Sequence, residues 1–386
     1  MESNTRNSAY TKSYNRKLIL DIIRKEPLSR AALSRKTGLT RAAITIIADE
    51  LISDGIIAEK GTAESSYGRK PVLLDINPEC YFAMGLNISR VKCSIGIINI
   101  KGNLVARQEI DLSNMETSEK AIEAIIKELK KLPEDKKIPR EKLLGLGIST
   151  PGPVDIYAGR ILNPPNFDFW KNVDIVERLK KDLPFEIFLE NVSVALTLAE
   201  KYFGKGKGFN SFVNLAVDDG IGSGMIINNK LYRGIGGFGG EIGHTSINFG
   251  GETCNCGNTG CLELYASIPA VLKNVRQKYP DVAAWADIAD RALAGEQFFL
   301  DVIDKEAMYL SVGIINAINT LQVEAVILTG DIKYKPQMIL ESINERVNRS
   351  IITRNMHPVK IYSSEITNDS DIIAPSTIVI DNFYRH

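Results

Sequence analysis

Cysteine and histidine are nearly absent from this chain of 386 residues, with five of the first and three of the second. Long apolar runs are missing too, and no stretch is long enough to cross a bilayer as a helix. The opening MESNTRNSAYTKSYNRK is polar and lacks the apolar centre of a secretory signal. Basic and acidic residues balance at 47 each, so the molecule as a whole offers no charge surplus to a polyanion. What is left is ordinary for a globular protein: 44% apolar, 24% charged, and room for two or three domains with real cores.

The scarcity of metal-type ligands is broken in one place. Between Glu241 and Ser267 the sequence reads EIGHTSINFGGETCNCGNTGCLELYAS, with three of the cysteines and one histidine. His244, Cys254, Cys256 and Cys261 offer the imidazole and thiolate donors that suit tetrahedral Zn²⁺. Gly250, Gly251, Gly257 and Gly260 let the backbone wrap around an ion. Four protein ligands leave no position for water, so the predicted site is structural, not catalytic. A disulfide pair with a spare thiol, or chance clustering, is the alternative. Cys80 and Cys93 lie in apolar runs, as small core residues do. A metal-type cysteine loop without a secretion signal points to the reducing cytoplasm.

Charge neutrality is broken at the start of the chain. Between Met1 and Ala48 ten basic residues face only Glu2, Asp21 and Glu26. That end is the candidate polyanion surface, although a solvated helical face accounts for the charge equally well. Pattern decides between them. Leu18, Ile19, Ile22 and Ile23 predict a helix over Tyr14–Lys25, closed by Glu26-Pro27. Ser29 caps a short helix with Ala32 and Leu33 inward and Gly38 at its end. Thr40 caps a third, whose Ile44, Ile47, Ala48 and Leu51 form one face up to Gly55. This is a helix-turn-helix, and the first side chains of its last helix approach base edges. Thr40, Arg41, Ala42 and Thr45 are the candidate contacts there, with Arg30 on the helix before. Arg41 suits a guanine or a phosphate. Ile56–Ala58 and Val72–Leu74 predict a two-stranded wing around GTAESSYGRKP. Arg69 and Lys70, beside Gly68, suit an A·T-rich minor groove or else form an exposed charged turn.

The spacing of Glu241, His244 and the cysteines, followed by Cys261-Leu262-Glu263, closely resembles the ROK family of bacterial repressors, sugar kinases and open reading frames of unknown role. The N-terminal module resembles the winged module of its repressors, which its kinases generally lack. Gly68-Arg69-Lys70 resembles the Gly-Arg-Arg that joins wing to body. YRGIGGFGGEIGH and APSTIVIDNF resemble in particular the xylose-repressor members from Gram-positive bacteria. The resemblance implies an α/β chain: a winged helix-turn-helix over residues 1–76, then a two-lobed actin/ribonuclease H-like body. Lobe 1 is expected at 77–195, lobe 2 with the zinc loop at 196–370, and a final helix, 371–386, returning to lobe 1. The strand runs FAMGLNIS, KCSIGIINI, NLVARQEIDL, LLGLGIS, FVNLAV and AVILTG fit that body, as does a helix from Thr117 to Leu132.

In the family's kinases an Asn-Asp pair supplies the base that deprotonates the sugar hydroxyl. Here Asn191 is followed by Val192, which cannot accept a proton. The first phosphate loop, Asp-x-Gly-Gly-Thr-Lys in those kinases, reads Asn87-Ile88-Ser89-Arg90-Val91-Lys92. The second, usually Gly-Thr-Gly-Ile-Gly, reads Asp218-Asp219-Gly220-Ile221-Gly222, and its carboxylates repel phosphates. No kinase activity is expected. The sugar side is retained. By resemblance Asn191, Glu241, His244 and Glu263 hydrogen-bond sugar hydroxyls in the interlobe cleft, with Asn166 at its border. The alternative is that the two glutamates only orient zinc ligands. The whole predicts a cytoplasmic, homodimeric, zinc-containing repressor of carbohydrate genes that binds double-stranded operator DNA and answers to a sugar. The competing readings are a residual sugar kinase with a fused DNA-binding module, and a ROK regulator with a protein or phosphosugar effector.

Overall fold

The computed structural model describes residues 8–62, 70–113, 115–165, 167–366 and 369–385. Arg69, most of the expected wing tip, and Asn166 lie outside the described residues.

Helix α1 (Ser8–Ile23) starts well before Tyr14, because Ser8 to Ser13 prolong the helix without adding to the apolar stripe that signalled it. Next come β1 (Leu28–Ser29), α2 (Arg30–Thr37), α3 (Arg41–Ser53), β2 (Ile57–Thr62) and β3 (Val72–Ile76). The Ser29 hydroxyl accepts the Ala32 N–H at the start of α2, and Gly38 ends it at φ 73°, a left-handed conformation that glycine adopts without strain. The Thr40 hydroxyl accepts the Ala43 N–H and caps α3, whose buried residues are Ile44, Ile47, Ala48 and Leu51. These were the expected caps and the expected face. The wing is a three-stranded sheet in the order β1-β3-β2, since Leu28 and Ser29 pair with Leu74 and Leu73.

The body continues with β4 (Phe82–Ile88), β5 (Lys92–Asn99), β6 (Leu104–Asp111), α4 (Ser118–Asp135), β7 (Leu143–Thr150), β8 (Val154–Asp155), β9 (Arg160–Ile161), α5 (Ile175–Lys180) and β10 (Ile187–Asn191). Its first sheet has the order β10-β7-β4-β5-β6. Then follow α6 (Val192–Tyr202), β11 (Phe212–Val217), β12 (Ile221–Ile227), β13 (Lys230–Tyr232), α7 (Glu263–Ala266), α8 (Ile268–Val275), α9 (Trp285–Leu293), α10 (Gln297–Leu321), β14 (Ala325–Gly330), α11 (Gln337–Ser350), β15 (Lys360–Ser363) and α12 (Ser370–Arg385). The second sheet has the order β13-β12-β11-β14-β15. Both sheets follow one plan, an antiparallel three-strand meander with two later strands added beside its first member. That repeated plan is consistent with the actin/ribonuclease H-like body. Among the described residues no helix is long and apolar enough to cross a membrane.

The chain divides into two compact units. One comprises Met1–Ile148, Val176–Phe188 and Asp371–His386, the other Ser149–Ile175 and Leu189–Ser370. The division passes through β7 and β10. In the first unit α12 lies on the sheet so closely that a Cβ on Gly147 would sit 1.8 Å from the Pro375 carbonyl oxygen. The winged module belongs to the same unit. Arg24 of α1 lies 5.5 Å from the Tyr384 ring centroid on α12. The buried Asp75 carboxylate of β3 accepts from Lys60 at 2.9 Å and from Lys101, in the turn after β5, at 2.7 Å.

In the second unit a core of Val213, Leu215, Trp285, Phe299, Leu310 and Leu328 lies between the sheet and the helices. Helix α6 crosses β12 where glycines admit it. A Cβ on Gly222 would meet the Ser193 hydroxyl at 2.0 Å, and one on Gly224 the Thr197 hydroxyl at 2.2 Å. These glycines serve close helix-to-strand approach.

Candidate functional site

The ligating atoms of His244, Cys254, Cys256 and Cys261 all lie within 4.8 Å of one another. Cys254 Sγ is 3.7 Å from His244 Nδ1, and Cys256 Sγ is 3.6 Å from Cys261 Sγ. Zinc–sulfur bonds of about 2.3 Å at tetrahedral angles separate two sulfurs by roughly 3.8 Å, whereas a disulfide needs about 2.05 Å. The separations fit four donors around one ion, not a disulfide. The Cys261 thiol also lies 3.4 Å from the His244 carbonyl oxygen, to which it donates. The backbone builds the cradle: Cys254 N–H donates to Asn258 O at 2.7 Å, and Gly257 N–H returns to Cys254 O at 2.9 Å. Asn258 also donates its side-chain amide to His244 O at 3.0 Å. Gly260 is obligatory, because its φ is 69° and a Cβ there would lie 1.8 Å from Asn248 O. Burial pushes the Cys261 thiol up to about 12, so the site becomes a thiolate cluster only with a cation to balance it.

With Nδ1 turned to the cysteines, His244 keeps its other ring nitrogen for a ligand or an orienting partner. Glu241 and Glu263 flank it. Burial raises the Glu241 carboxyl above the usual carboxylate range; His244 opposes that shift and Glu263 adds to it, which puts the three groups in one electrostatic neighbourhood. Glu263 opens α7 and accepts the Ile221 N–H at 2.9 Å. A Cβ on Gly220 would stand 2.6 Å from the same carboxylate oxygen, so this glycine makes room for Glu263. Asn191 stands on a different element, as the cap of α6, its carbonyl accepting the Ser193 N–H at 2.8 Å. It reaches the same end of the second sheet through the contact of α6 with β12. Beside it, buried Glu190 is held by Arg233 at 3.0 Å, tying the glycine-rich segment after β13 to the end of β10. Sequence reading missed Arg233. Its only signal in the sequence is its place in the run YRGIGGFGGEIGH.

The phosphate-loop positions are occupied by the protein's own bonds. Asn87 to Lys92 form the turn between β4 and β5, with Ser89 N–H donating to Lys92 O at 2.9 Å. Asp218, at the end of β11, accepts the Asp331 N–H at 2.8 Å and so ties β11 to the turn after β14. Burial first, and then neighbouring Asp331, push its carboxyl up to about 7. A carboxyl raised in the folded state binds protons that the unfolded chain releases, so its contribution is full below about pH 4 and lost as pH rises through 7. We expect Asp218→Asn to flatten the fall in stability between those values. It should add up to roughly 3 kcal/mol above pH 7, read by denaturant melts across pH.

In the winged module Thr40, Arg41, Ala42 and Thr45 are all exposed at the start of α3, and Lys70 is exposed two residues before β3. Arg30, the remaining candidate contact, is ion-paired. Its guanidinium donates to Asp49 of α3 at 2.8 Å and to Glu59 of β2 at 3.2 Å, and thereby neutralises both acids. Lys12, Arg16 and Lys36 are likewise paired, with Glu50, Asp54 and Glu26. Sequence reading also passed over Ile46, which is 59% exposed on α3.

A ROK family sequence model matches residues 83–381. The xylose repressor of Bacillus spizizenii is 32% identical, over 97% of this chain and 97% of that protein. The glucokinase of Thermotoga maritima is 27% identical, over 77% of this chain and 96% of its own length. The crystal structure of a ROK family transcriptional regulator, a homologue of the Escherichia coli MLC protein, superposes with a TM-score of 0.80 at 25% identity, covering 97% of both chains. The regulators thus span the winged module and the body together, while the kinase falls short of the whole. With its paired five-stranded sheets and its His/Cys₃ loop, this chain belongs to the ROK family.

Proposed function

We propose that this chain is a DNA-binding repressor of carbohydrate genes whose body senses a sugar, xylose being the first candidate. One observation carries the reading: the described part of the winged module is folded and Glu241, His244 and Glu263 share one electrostatic neighbourhood, while Asp218 is bonded to Asp331 at the position of the kinases' second phosphate loop. In this reading residues 1–76 hold operator DNA as one half of a homodimer, and the cytoplasmic body holds a structural Zn²⁺ on His244, Cys254, Cys256 and Cys261. Arg41 and Lys70, with Arg69 beside it, supply the contacts. The zinc fixes the His244 ring, so that Asn191, Glu241, His244 and Glu263 meet the hydroxyls of a neutral sugar. Sugar binding then favours one state of the body over another and changes operator affinity by linkage.

The test is a panel of sugars titrated against the whole protein, with operator binding as readout. Coupling of about 1–3 kcal/mol shifts operator affinity roughly 5–150-fold. Glu241→Gln should weaken sugar binding and leave sugar-free DNA binding intact. A panel that gives neither heat nor any change in operator affinity overturns the sugar reading.

The same reading excludes useful sugar phosphorylation. Val192 offers no base, and Val192→Asp alone should not create one that works, because both phosphate loops also depart from the kinase pattern. ATP-dependent turnover anywhere near about 1–100 s⁻¹ would overturn this part.

A further inference from the structure

We propose that Ile46, with Ala42 one turn before it, reads the methyl groups of thymines in the operator's major groove. The inference rests on the DNA-binding role proposed above and names what that surface recognises. The buried side of α3 is Ile44, Ile47, Ala48 and Leu51. Ile46 points elsewhere and is 59% exposed, although a β-branched side chain on an open helix face adds nothing to helix propensity. Residues four apart share a helix face, so Ala42 and Ile46 form one strip with Thr45 beside them.

The hydroxyls beside that strip are each held by one backbone bond. The Thr40 hydroxyl accepts the Ala43 N–H at 3.2 Å, and the Thr45 hydroxyl donates to the Arg41 carbonyl at 2.9 Å. Asp49, further along, is bound to Arg30. Arg41 is exposed and forms no ion pair among the described residues, which leaves it as the cationic reader at the start of the helix. Apart from the Thr40 and Thr45 hydroxyls, what the helix otherwise presents is methyl surface. Among base edges only thymine carries an apolar group in the major groove, at C5. The face has no amide to grip adenine and no free acid to accept from cytosine. A half-site with thymines opposite Ala42 and Ile46, flanked by a guanine or phosphate for Arg41, is the complement of this surface.

The test uses the full chain. Sites are selected from a pool of random duplexes, the half-site is mapped by protection, and each thymine in it is replaced in turn by deoxyuridine, which removes only the methyl. At one or two positions per half-site the wild type should bind about fourfold more weakly for each methyl lost. Ile46→Ala should bind the thymine site more weakly by a similar factor and should no longer distinguish thymine from deoxyuridine there. An unchanged melting midpoint for Ile46→Ala separates this from misfolding. Wild-type binding indifferent to deoxyuridine at every position, or an Ile46→Ala variant as sensitive as wild type, overturns the inference alone. Failure of the full chain to select any site overturns the DNA-binding reading with it.

Discussion

Protein purified without chelators is expected to carry one metal ion per chain, and Cys256→Ser to lose it. Cys256 is the exposed member of the four donors, so the substitution leaves the packing around it nearly untouched and removes mainly a ligand. The consequence is nevertheless large. Cys254 and Cys261 are buried, and without a cation they cannot both stay ionised; the Cys261 thiol, pushed up to about 12, takes back its proton. Structural zinc contributes on the order of 10 kcal/mol or more to the folding of small domains, whereas an ordinary surface substitution stays within about 0.5 kcal/mol. In a chain of this size the loop should loosen locally and the melting midpoint fall by roughly 5–10 °C. Treatment with a strong chelator should reproduce both effects in the wild type. Because His244 belongs to the same cluster, ligand affinity should fall together with metal content. Elemental analysis that finds no stoichiometric metal in wild-type protein rejects the site.

Removal of residues 1–76 should abolish specific DNA binding. Specific binding by such modules exceeds non-specific binding by about 10³–10⁷-fold, and the module that reads base edges supplies that difference. A chain starting at Asn77 also uncovers Tyr384 and leaves Lys101 without Asp75, so a point substitution is the necessary companion. Arg41→Ala keeps the helix, since alanine is the best helix former. If Arg41 reads a base, the loss should be about 1–3 kcal/mol and confined to the cognate sequence. If it holds a phosphate, all sequences should weaken alike and the salt dependence should drop by about one ion. Undiminished operator binding by the chain from Asn77 would end the assignment.

Much of this was legible in the sequence, for identifiable reasons. Caps are local, so Ser29 and Thr40 could be placed from neighbouring residues alone. The buried face of α3 follows from a period of 3.6, and the metal set from the rarity of its residue types. What stayed hidden depends on residues that meet only after folding. The count of charges stopped at Ala48, one residue short of Asp49 and Glu50, which pair with Arg30 and Lys12. Strand β1 is too short to have a period and exists only because Leu74 and Leu73 lie beside it. Gly220, Gly222 and Gly224 are each small because a particular side chain from a distant part of the chain approaches: Glu263, Ser193 and Thr197. The exposure of Ile46 could be suspected from its place off the buried stripe, but an isoleucine on a helix is ordinarily assigned to a core.

Asp75 gives the molecule a mechanical property. With Lys60 on one side and Lys101 on the other, it pins the wing to the first sheet, and only Asn77 to Tyr81 separate β3 from β4. Asn77 adds to the clamp, its N–H donating to Ile56 O at 2.9 Å and its side chain to Gly55 O at 2.8 Å. The reading head is therefore mounted on the frame, not hung from a tether. Two such chains would grip DNA as calipers do, at a set gap and phase. One extra base pair between half-sites turns the far site by about 35° and moves it about 3.4 Å, an error that a jointless mount cannot absorb. On the proposed reading, a small rotation of the frame would then be enough to release the grip, with no part of the head needing to unfold.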